Sequence, residues 1–257
     1  MSEHKFNHPP RTFKVVRSAP NDTNMKFAAI SQPISDLPPV VDLRGKCPDV
    51  YDQGDLGSCT GNAIAAAVEF DMMKQGETPI IPSRLFIYYN ERVMEGDVGQ
   101  DNGAQIRDGI TSIAMNGVCD EALWPYDTSQ FTVKPSDDAY ANAQAHKATK
   151  YYTLGIDLAE IKQALAQGFP IVFGMQVFSG MQSEDAASTG SVPMPKPNEQ
   201  SEGGHCVLMV GYSDTSQKLI VRNSWGDGWG NEGYFYLPYD YVTPNLLTDL
   251  WVVTSVL

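Results

Sequence analysis

The chain has 257 residues, of which 42% are apolar, enough to bury the core of one large domain or of two lobes. Eighteen Lys and Arg against 31 Asp and Glu give a formal net charge of -13, which argues against nucleic acid or an anionic lipid surface as a partner. No apolar run approaches the ~20 residues that cross a bilayer, and no signal peptide is visible, so we expect a soluble protein, either cytoplasmic or secreted with its signal removed.

The first part of the chain differs in composition from the rest. It carries two Pro-Pro pairs, mixed charges and little periodicity up to about residue 39. Such a composition is typical of an extended segment that lies on a surface or is disordered. We therefore predict a leader, residues 1–36, ahead of a folded domain, residues 37–257.

Three helices are predicted in the first half of the domain. The first lies in "SCTGNAIAAAVEFDMMKQG", with Ser58 as a cap and Gly76 as a stop, and its apolar residues at helical spacing indicate that it is buried. The second begins at "PSRLFIYYNERV", where Pro82 and Ser83 are start signals. The third covers "GAQIRDGITSIAMNG", which ends in a glycine.

The second half is predicted to be mostly β. After one helix, "LAEIKQALAQG", come strand-like runs: "PIVFGMQVF", "HCVLMVGY", "KLIVRNSW", "GYFYL" and "LWVVTSVL". The segment between the first two runs is expected to lack regular structure and is long enough to suggest mobility or function. Helices followed by strands predict an α+β protein with lobes over about 47–145 and 146–257 and a cleft between them.

Cys59 stands where a glycine-punctuated loop meets the first helix. A thiol attacks a carbonyl only as the thiolate, and its free pKa of about 8.5 falls at a helix N-terminus or beside a protonated histidine. The amides of the first helical turn favour negative charge. A structural cysteine is the commoner use of the residue, so a nucleophile needs a histidine from elsewhere in the fold.

His205, at the start of the strand "HCVLMVGY", is the candidate histidine. His146 lies in a polar stretch and is the weaker competitor. The separation of Cys59 and His205, 205 − 59 = 146 residues, fits the ~130–150 residues of one family of cysteine nucleophiles. Zinc is disfavoured because no His or Cys recurs at ligand spacing.

Three motifs together resemble those of the papain-like cysteine peptidases, which include the cathepsins. They are "DQGDLGSCTGNA", "GGHCVLMVGY" and "VRNSWGDGWGNEGYFYL", in that order. The resemblance extends from about Leu37 to the C-terminus. It implies a two-lobed fold, with a helical left lobe, an antiparallel β-barrel-like right lobe and an active-site cleft between them. It also implies an endopeptidase that needs no metal or organic cofactor.

The resemblance assigns roles to individual residues. Cys59 matches the nucleophile and His205 the general base and acid. Asn223 matches the residue whose side-chain carbonyl orients the imidazole, and Gln53 the oxyanion-hole glutamine, which acts with the Cys59 backbone N–H. Trp225 matches the tryptophan that shields the Asn–His hydrogen bond from water.

Substrate contacts are also implied by the resemblance. Gly103 and Ala104 match backbone groups that pair with an extended protein or peptide substrate. Gln105 and Ile106 would border the pocket for the residue two before the cleaved bond. Gly204 and Thr60 flank the catalytic pair on the leaving-group side, where they differ from the usual residues.

The chain departs from the family pattern at the active-site-adjacent disulfide. Leu56 and Asp101 stand where family members usually carry the two bonded cysteines, so this chain is an atypical member. Its leader is also short for a propeptide. The leader would either lie through the cleft as an inhibitory segment or be a disordered tail.

Two alternatives to a hydrolase remain open at this stage. A silent homologue would keep the fold for peptide binding. An acyl transferase or isopeptidase would use the same site on another acceptor or amide.

Overall fold

The structure, a computed structural model, describes residues 13–18 and 24–256. Within these ranges it contains six α-helices and seven β-strands. The helices are α1 Cys59–Gln75, α2 Arg84–Glu95, α3 Ile106–Met115, α4 Asp137–Ala143, α5 Leu158–Ala166 and α6 Glu184–Thr189. The strands are β1 Val40–Asp42, β2 Ala148–Thr153, β3 Ile171–Val177, β4 Gly203–Ser213, β5 Lys218–Arg222, β6 Tyr234–Pro238 and β7 Leu247–Val256. No helix in the described ranges is both long enough and apolar enough to span a membrane.

The strands form one antiparallel sheet in the order β2-β7-β3-β4-β5-β6, with β1 added to β4. The predicted α+β class is confirmed. The expected barrel is corrected in one respect: the outer strands of this order, β2 and β6, do not pair with each other, so the sheet is not a closed barrel. The five strand-like runs of the second half correspond to β3 to β7.

Helix α1 has no solvent face over most of its length. Every residue from Cys59 to Met72 is buried, because α1 contacts β4 and β7 as well as α2 and α3. Its run of small residues permits this close packing: a Cβ at Gly61 would lie 2.6 Å from the carbonyl oxygen of Arg84. The predicted buried helix is confirmed, and it ends at Gly76 with a φ of 78°.

The other predicted helices are also present, with one difference in capping. Ser83 caps α2 by accepting a hydrogen bond from the Phe86 N–H. Ser58 occupies the N-cap position of α1, but its hydroxyl makes no capping bond and contacts the Tyr126 hydroxyl at 2.5 Å instead. The first turn of α1 is therefore not closed by this serine side chain.

The segment between β3 and β4 was expected to lack regular structure, and this expectation is wrong. It contains a 3₁₀ turn, Ser179–Gln182, and the short helix α6. Ser183 caps α6 by accepting from the Ala186 N–H, and two acidic residues occupy the first turn. The capping serine and the acidic first turn are local signals that the sequence contains. Apolar periodicity, in contrast, is too weak over six residues to predict the helix.

The described part of the leader lies on the folded domain in two pieces. We call residues 13–18 the strap and residues 24–36 the anchor. In the anchor, Phe27 is only 2% exposed and packs edge-on against Phe169 and Tyr152, with ring centroids 5.7 and 6.3 Å apart. Gln163 accepts from the Ile34 N–H and donates to the Ile34 carbonyl, both at 2.9 Å. Phe27 thus belongs to the core and, with the two Gln163 hydrogen bonds, holds the anchor on the domain.

We expect Phe27→Ala to destabilise the whole domain by roughly 3–5 kcal/mol, because it empties a buried aromatic site. Urea unfolding followed by tryptophan fluorescence would measure the change. Met25→Ala, two residues away and 64% exposed, is the matched control and should change the free energy of unfolding by less than about 0.5 kcal/mol. Equal, small effects of both variants would contradict a structural role for the anchor.

Candidate active site

Cys59 is the first residue of α1 and is fully buried. Burial raises the pKa of its thiol to about 12, and the nearby carboxyl of Glu91 adds to the increase. Hydrogen bonds from the backbone N–H groups of Cys206, Thr60 and Cys59 itself act in the opposite direction. Backbone amides therefore point at the sulfur, as expected at the start of a helix. The burial of the thiol nevertheless favours its neutral form.

The Cys206 amide that contacts Cys59 belongs to the residue after His205. His205 lies on β4, opposite Met175 of β3, and is fully buried. The strand thus brings the imidazole and the thiol into the same part of the fold. Cys206 itself is buried, and burial raises the pKa of its thiol well above the ordinary value.

Asn223 fixes the orientation of the imidazole. Its side-chain oxygen lies 2.8 Å from His205 Nε2 and also accepts from the Ser224 backbone N–H at 2.9 Å. Because this oxygen already accepts from an amide, it can only accept from the imidazole, so Nε2 carries a proton. In the neutral ring Nδ1 is then the basic nitrogen.

Trp225 covers the histidine side of the site. Its ring is stacked on His205, with centroids 5.1 Å apart and an interplanar angle of 25°. Trp229 packs edge-on against Trp225 at 4.7 Å. Both indoles are buried, so the aromatic layer separates the imidazole from solvent on this side.

Gln53 is held by the segment that carries Asn223. Its backbone N–H donates to the Ser224 carbonyl at 2.9 Å, and its side-chain oxygen accepts from the Ser224 hydroxyl at 2.6 Å. Its side-chain amide donates to the Leu56 carbonyl at 2.9 Å. An amide NH₂ has two donors, so this bond uses one of them.

The residues expected to bind substrate line up beneath the strap. Val15 N–H donates to the Gly204 carbonyl at 2.9 Å, and Val16 N–H donates to the Ala104 carbonyl at 3.2 Å. Val16 also forms a parallel bridge with Gln105.

Glycine is required under the strap. A Cβ at Gly103 would lie 1.9 Å from the Lys14 carbonyl oxygen, and a Cβ at Gly204 would lie 2.8 Å from that of Val15. Ile106 is fully buried at the start of α3, with its side chain beside Gly174.

The strap also reaches His205, one of the predicted catalytic residues. The ring of Phe13 lies 5.9 Å from the ring of His205, edge-on, and 5.9 Å from that of Trp225. The strap therefore covers the end of β4 that carries Gly204 and the aromatic layer beside His205.

Three supporting residues were not predicted. Ser224 binds Gln53, Tyr126 donates to the Gln53 carbonyl at 2.9 Å, and Glu91 accepts from the hydroxyl of Thr60. Ser224 adjoins Asn223 in the sequence, which is a usable signal. Tyr126 and Glu91 come from distant parts of the chain, and no local pattern distinguishes them from packing residues.

The comparisons with known proteins agree with this geometry. The family described as "Papain family cysteine protease" matches residues 37–245. A peptidase C1-like protein of Acanthamoeba polyphaga mimivirus is 47% identical over 87% of this chain and 75% of its own. Cysteine proteinase 1 of Entamoeba histolytica is 28% identical over 85% of this chain and 69% of its own. The crystal structure of xylellain, a cysteine protease from Xylella fastidiosa, superposes with a TM-score of 0.86 at 39% identity, covering 95% of this chain and 96% of its own.

The buried carboxyl of Glu91 generates a pH prediction. Burial raises its pKa well above the usual range; Glu95 and Asp108 add to this, while Thr60 and Arg92 oppose it. Because the native state binds this proton more tightly than the unfolded chain, its contribution to stability falls as pH rises above about 4.3.

We expect Glu91→Gln to remove this pH dependence. The free energy of unfolding of the variant, relative to that of the wild type, should increase by up to about 1.4 kcal/mol per pH unit from pH ~5 upward, until the native Glu91 carboxyl ionises. Denaturant titrations at several pH values would measure the difference. Parallel curves for the two proteins would show that Glu91 titrates normally.

Proposed function

Since the chain belongs to the papain family of cysteine proteases, we propose that it is an endopeptidase whose nucleophile is Cys59 and whose proton carrier is His205. The observation that carries the proposal is the oriented imidazole. The Asn223 side-chain oxygen binds His205 Nε2, so that Nδ1 is the nitrogen that takes part in proton transfer. The backbone N–H of Cys206, the residue after His205, donates to the Cys59 sulfur. A thiol at a helix start and a histidine of fixed tautomer are the two components that thiol-based acyl transfer requires.

The proposed reaction has two stages. His205 takes the proton of Cys59, and the thiolate attacks the peptide carbonyl to form a tetrahedral intermediate. The imidazolium then protonates the leaving amine, the C–N bond breaks, and an acyl-enzyme remains on the sulfur. Water, deprotonated by the same histidine, attacks the thioester, releases the carboxylate product and restores the thiol.

The oxyanion of the intermediate would be stabilised by Gln53 and by the Cys59 backbone N–H. Ser224 holds the Gln53 side-chain oxygen, which leaves the amide nitrogen directed toward the Cys59 loop. Donors that are already in place cost no reorganisation when the charge develops. We infer that the Ser224 hydroxyl acts on catalysis through Gln53.

The substrate would be a protein or peptide in an extended conformation. The carbonyls of Gly204 and Ala104 accept backbone N–H groups of the strap, and a substrate strand would use the same acceptors. Gln105 and Ile106 would border the pocket for the residue two before the cleaved bond. Gly103 permits the close approach of the bound strand.

We propose that the strap inhibits the enzyme in its own cleft. It runs from Phe13, beside His205, to Val16, beside Ala104. A substrate would run the other way, because the residue near Ala104 precedes the cleaved bond. The reversed direction presents no peptide carbonyl in the productive orientation and explains how the strap can occupy the cleft without being cleaved.

We infer that the strap also contributes to keeping the thiol neutral. Burial is the largest contribution that raises the Cys59 pKa to about 12. Departure of the strap would admit water to the cleft, remove part of this desolvation and lower the pKa. The strap thus acts on the protonation of the nucleophile as well as on substrate access.

We expect the full-length double variant Phe13→Ala/Lys14→Ala to have a kcat/KM at least about tenfold higher than the wild type on an unstructured peptide. The variant loses the ring packed on His205 and the ion pair to Asp101, worth together about 2–4 kcal/mol. Substitution is preferable to deleting the leader, because deletion would also remove the buried Phe27. The rate of Cys59 alkylation by iodoacetamide should rise in parallel.

Arg17→Ala is the control for the strap. Among the described residues its guanidinium makes only an exposed contact of 3.5 Å, with the Pro244 carbonyl, so the kcat/KM should stay within about twofold of wild type. Identical kcat/KM values for all three proteins would show that the strap does not inhibit.

We expect Cys59→Ala, made in the Phe13→Ala/Lys14→Ala chain, to abolish hydrolysis of a quenched peptide library, because no other group supplies the nucleophile. Cys47→Ala is the control and should keep the parent rate. An epoxide thiol trap should label Cys59 stoichiometrically. A Cys59 no more reactive than Cys47 would indicate a silent peptide-binding protein, and products joined to an added amine would indicate acyl transfer.

A further inference from the structure

The carboxylate of Asp101 joins three separate parts of the molecule. Its two oxygens accept the Gly57 backbone N–H at 3.0 and 3.1 Å. The Tyr88 hydroxyl of α2 donates to it at 2.5 Å, and the Lys14 ammonium of the strap pairs with it at 3.1 Å. Gly57 lies two residues before Cys59, so the carboxylate holds the loop that leads into the active site.

The contact with Gly57 is close enough to constrain the residue type there. A Cβ at Gly57 would lie 2.8 Å from an Asp101 carboxylate oxygen, so only glycine fits without displacement. A charged acceptor bound by a backbone amide also makes a stronger hydrogen bond than a neutral one. The loop is therefore held at this point by geometry and by charge.

Tyr88 supplies the rigid side of this connection. Its side chain is fully buried in α2, and burial together with the Asp101 charge raises its pKa above the usual range, so the hydroxyl remains a donor. The bond from Tyr88 fixes the carboxylate against the helical part of the domain. The carboxylate in turn fixes the Gly57 N–H.

We propose that Asp101 is a positioning residue for catalysis. By binding Gly57 it holds the loop from Gln53 to Cys59, which carries both oxyanion donors of the proposed function, on which this inference rests. Asp101 does not touch the reacting atoms. Its effect on the rate would come from the placement of donors that must lie within a few tenths of an ångström of the developing charge.

The alternative is that Asp101 serves only to dock the strap through Lys14. The background Phe13→Ala/Lys14→Ala separates the two roles, because the Lys14 pair is already absent there. Any further change on substituting Asp101 must then arise from Gly57 or Tyr88. The full chain is used throughout, so the anchor and the core stay intact.

In that background we expect Asp101→Ala to lower kcat about 10- to 100-fold and to change KM less than about twofold. Asp101→Asn keeps an oxygen that accepts the Gly57 N–H, so its kcat should stay within about threefold of the parent. Asp97→Ala, in the same loop but bonded to the Asn102 side chain, is the matched control and should have the parent kcat.

Hydrogen exchange at the Gly57 amide provides a readout that does not depend on activity. Exchange should be at least about tenfold faster in Asp101→Ala and nearly unchanged in Asp101→Asn. An unchanged kcat or unchanged Gly57 exchange in Asp101→Ala would overturn the inference, as would equal kcat losses in both variants. A parent chain without peptidase activity would contradict the proposed function, while the exchange result would still decide whether Asp101 holds the loop.

Discussion

The structure depends on one constraint, the burial of α1 from Cys59 to Met72. A helix enclosed by β4, β7, α2 and α3 cannot shift or rotate without disturbing the core, so its first residue is fixed relative to the sheet. Cys59 occupies that first residue. The sheet independently fixes His205 and, through the segment after β5, Asn223. Two rigid elements therefore meet at the candidate site, and the loop before Cys59 contributes Gln53.

The polar contacts around the site follow from that arrangement. Ser224, next to Asn223, binds Gln53, and Asp101 binds Gly57, so each end of the loop before Cys59 is held by a residue from another part of the chain. Buried polar groups must be satisfied, and here the partners that satisfy them also orient the proposed oxyanion donors. The same hydrogen bonds therefore stabilise the fold and position the proposed oxyanion donors.

The sequence predicted the local features well. The glycine stop of α1, the Ser83 cap of α2 and the period-2 strands are each encoded by neighbouring residues, and the Cys59, His205 and Asn223 motifs carry their own context. Features that join distant residues were not predictable in the same way. The path of the strap depends on the carbonyls of Gly204 and Ala104, which accept its N–H groups, and on the close approach that Gly103 permits. The contacts of Asp101 depend on Tyr88 and Gly57 meeting in space. Helix α6 was not predicted for a different reason: its six residues are too few to give a periodic apolar pattern.

The burial of Phe27 has a consequence for the proposed inhibition by the strap. Because Phe27 ties the anchor to the core, a strap that leaves the cleft would stay attached to the same molecule a few residues away. Its effective local concentration for rebinding is of the millimolar order typical of short tethers and does not change on dilution. Peptides would compete with an intramolecular ligand, so the apparent affinity for substrate would depend on substrate length and on how many cleft contacts it makes. Severing the chain between strap and anchor would convert this reversible competition into a permanent loss of the competitor.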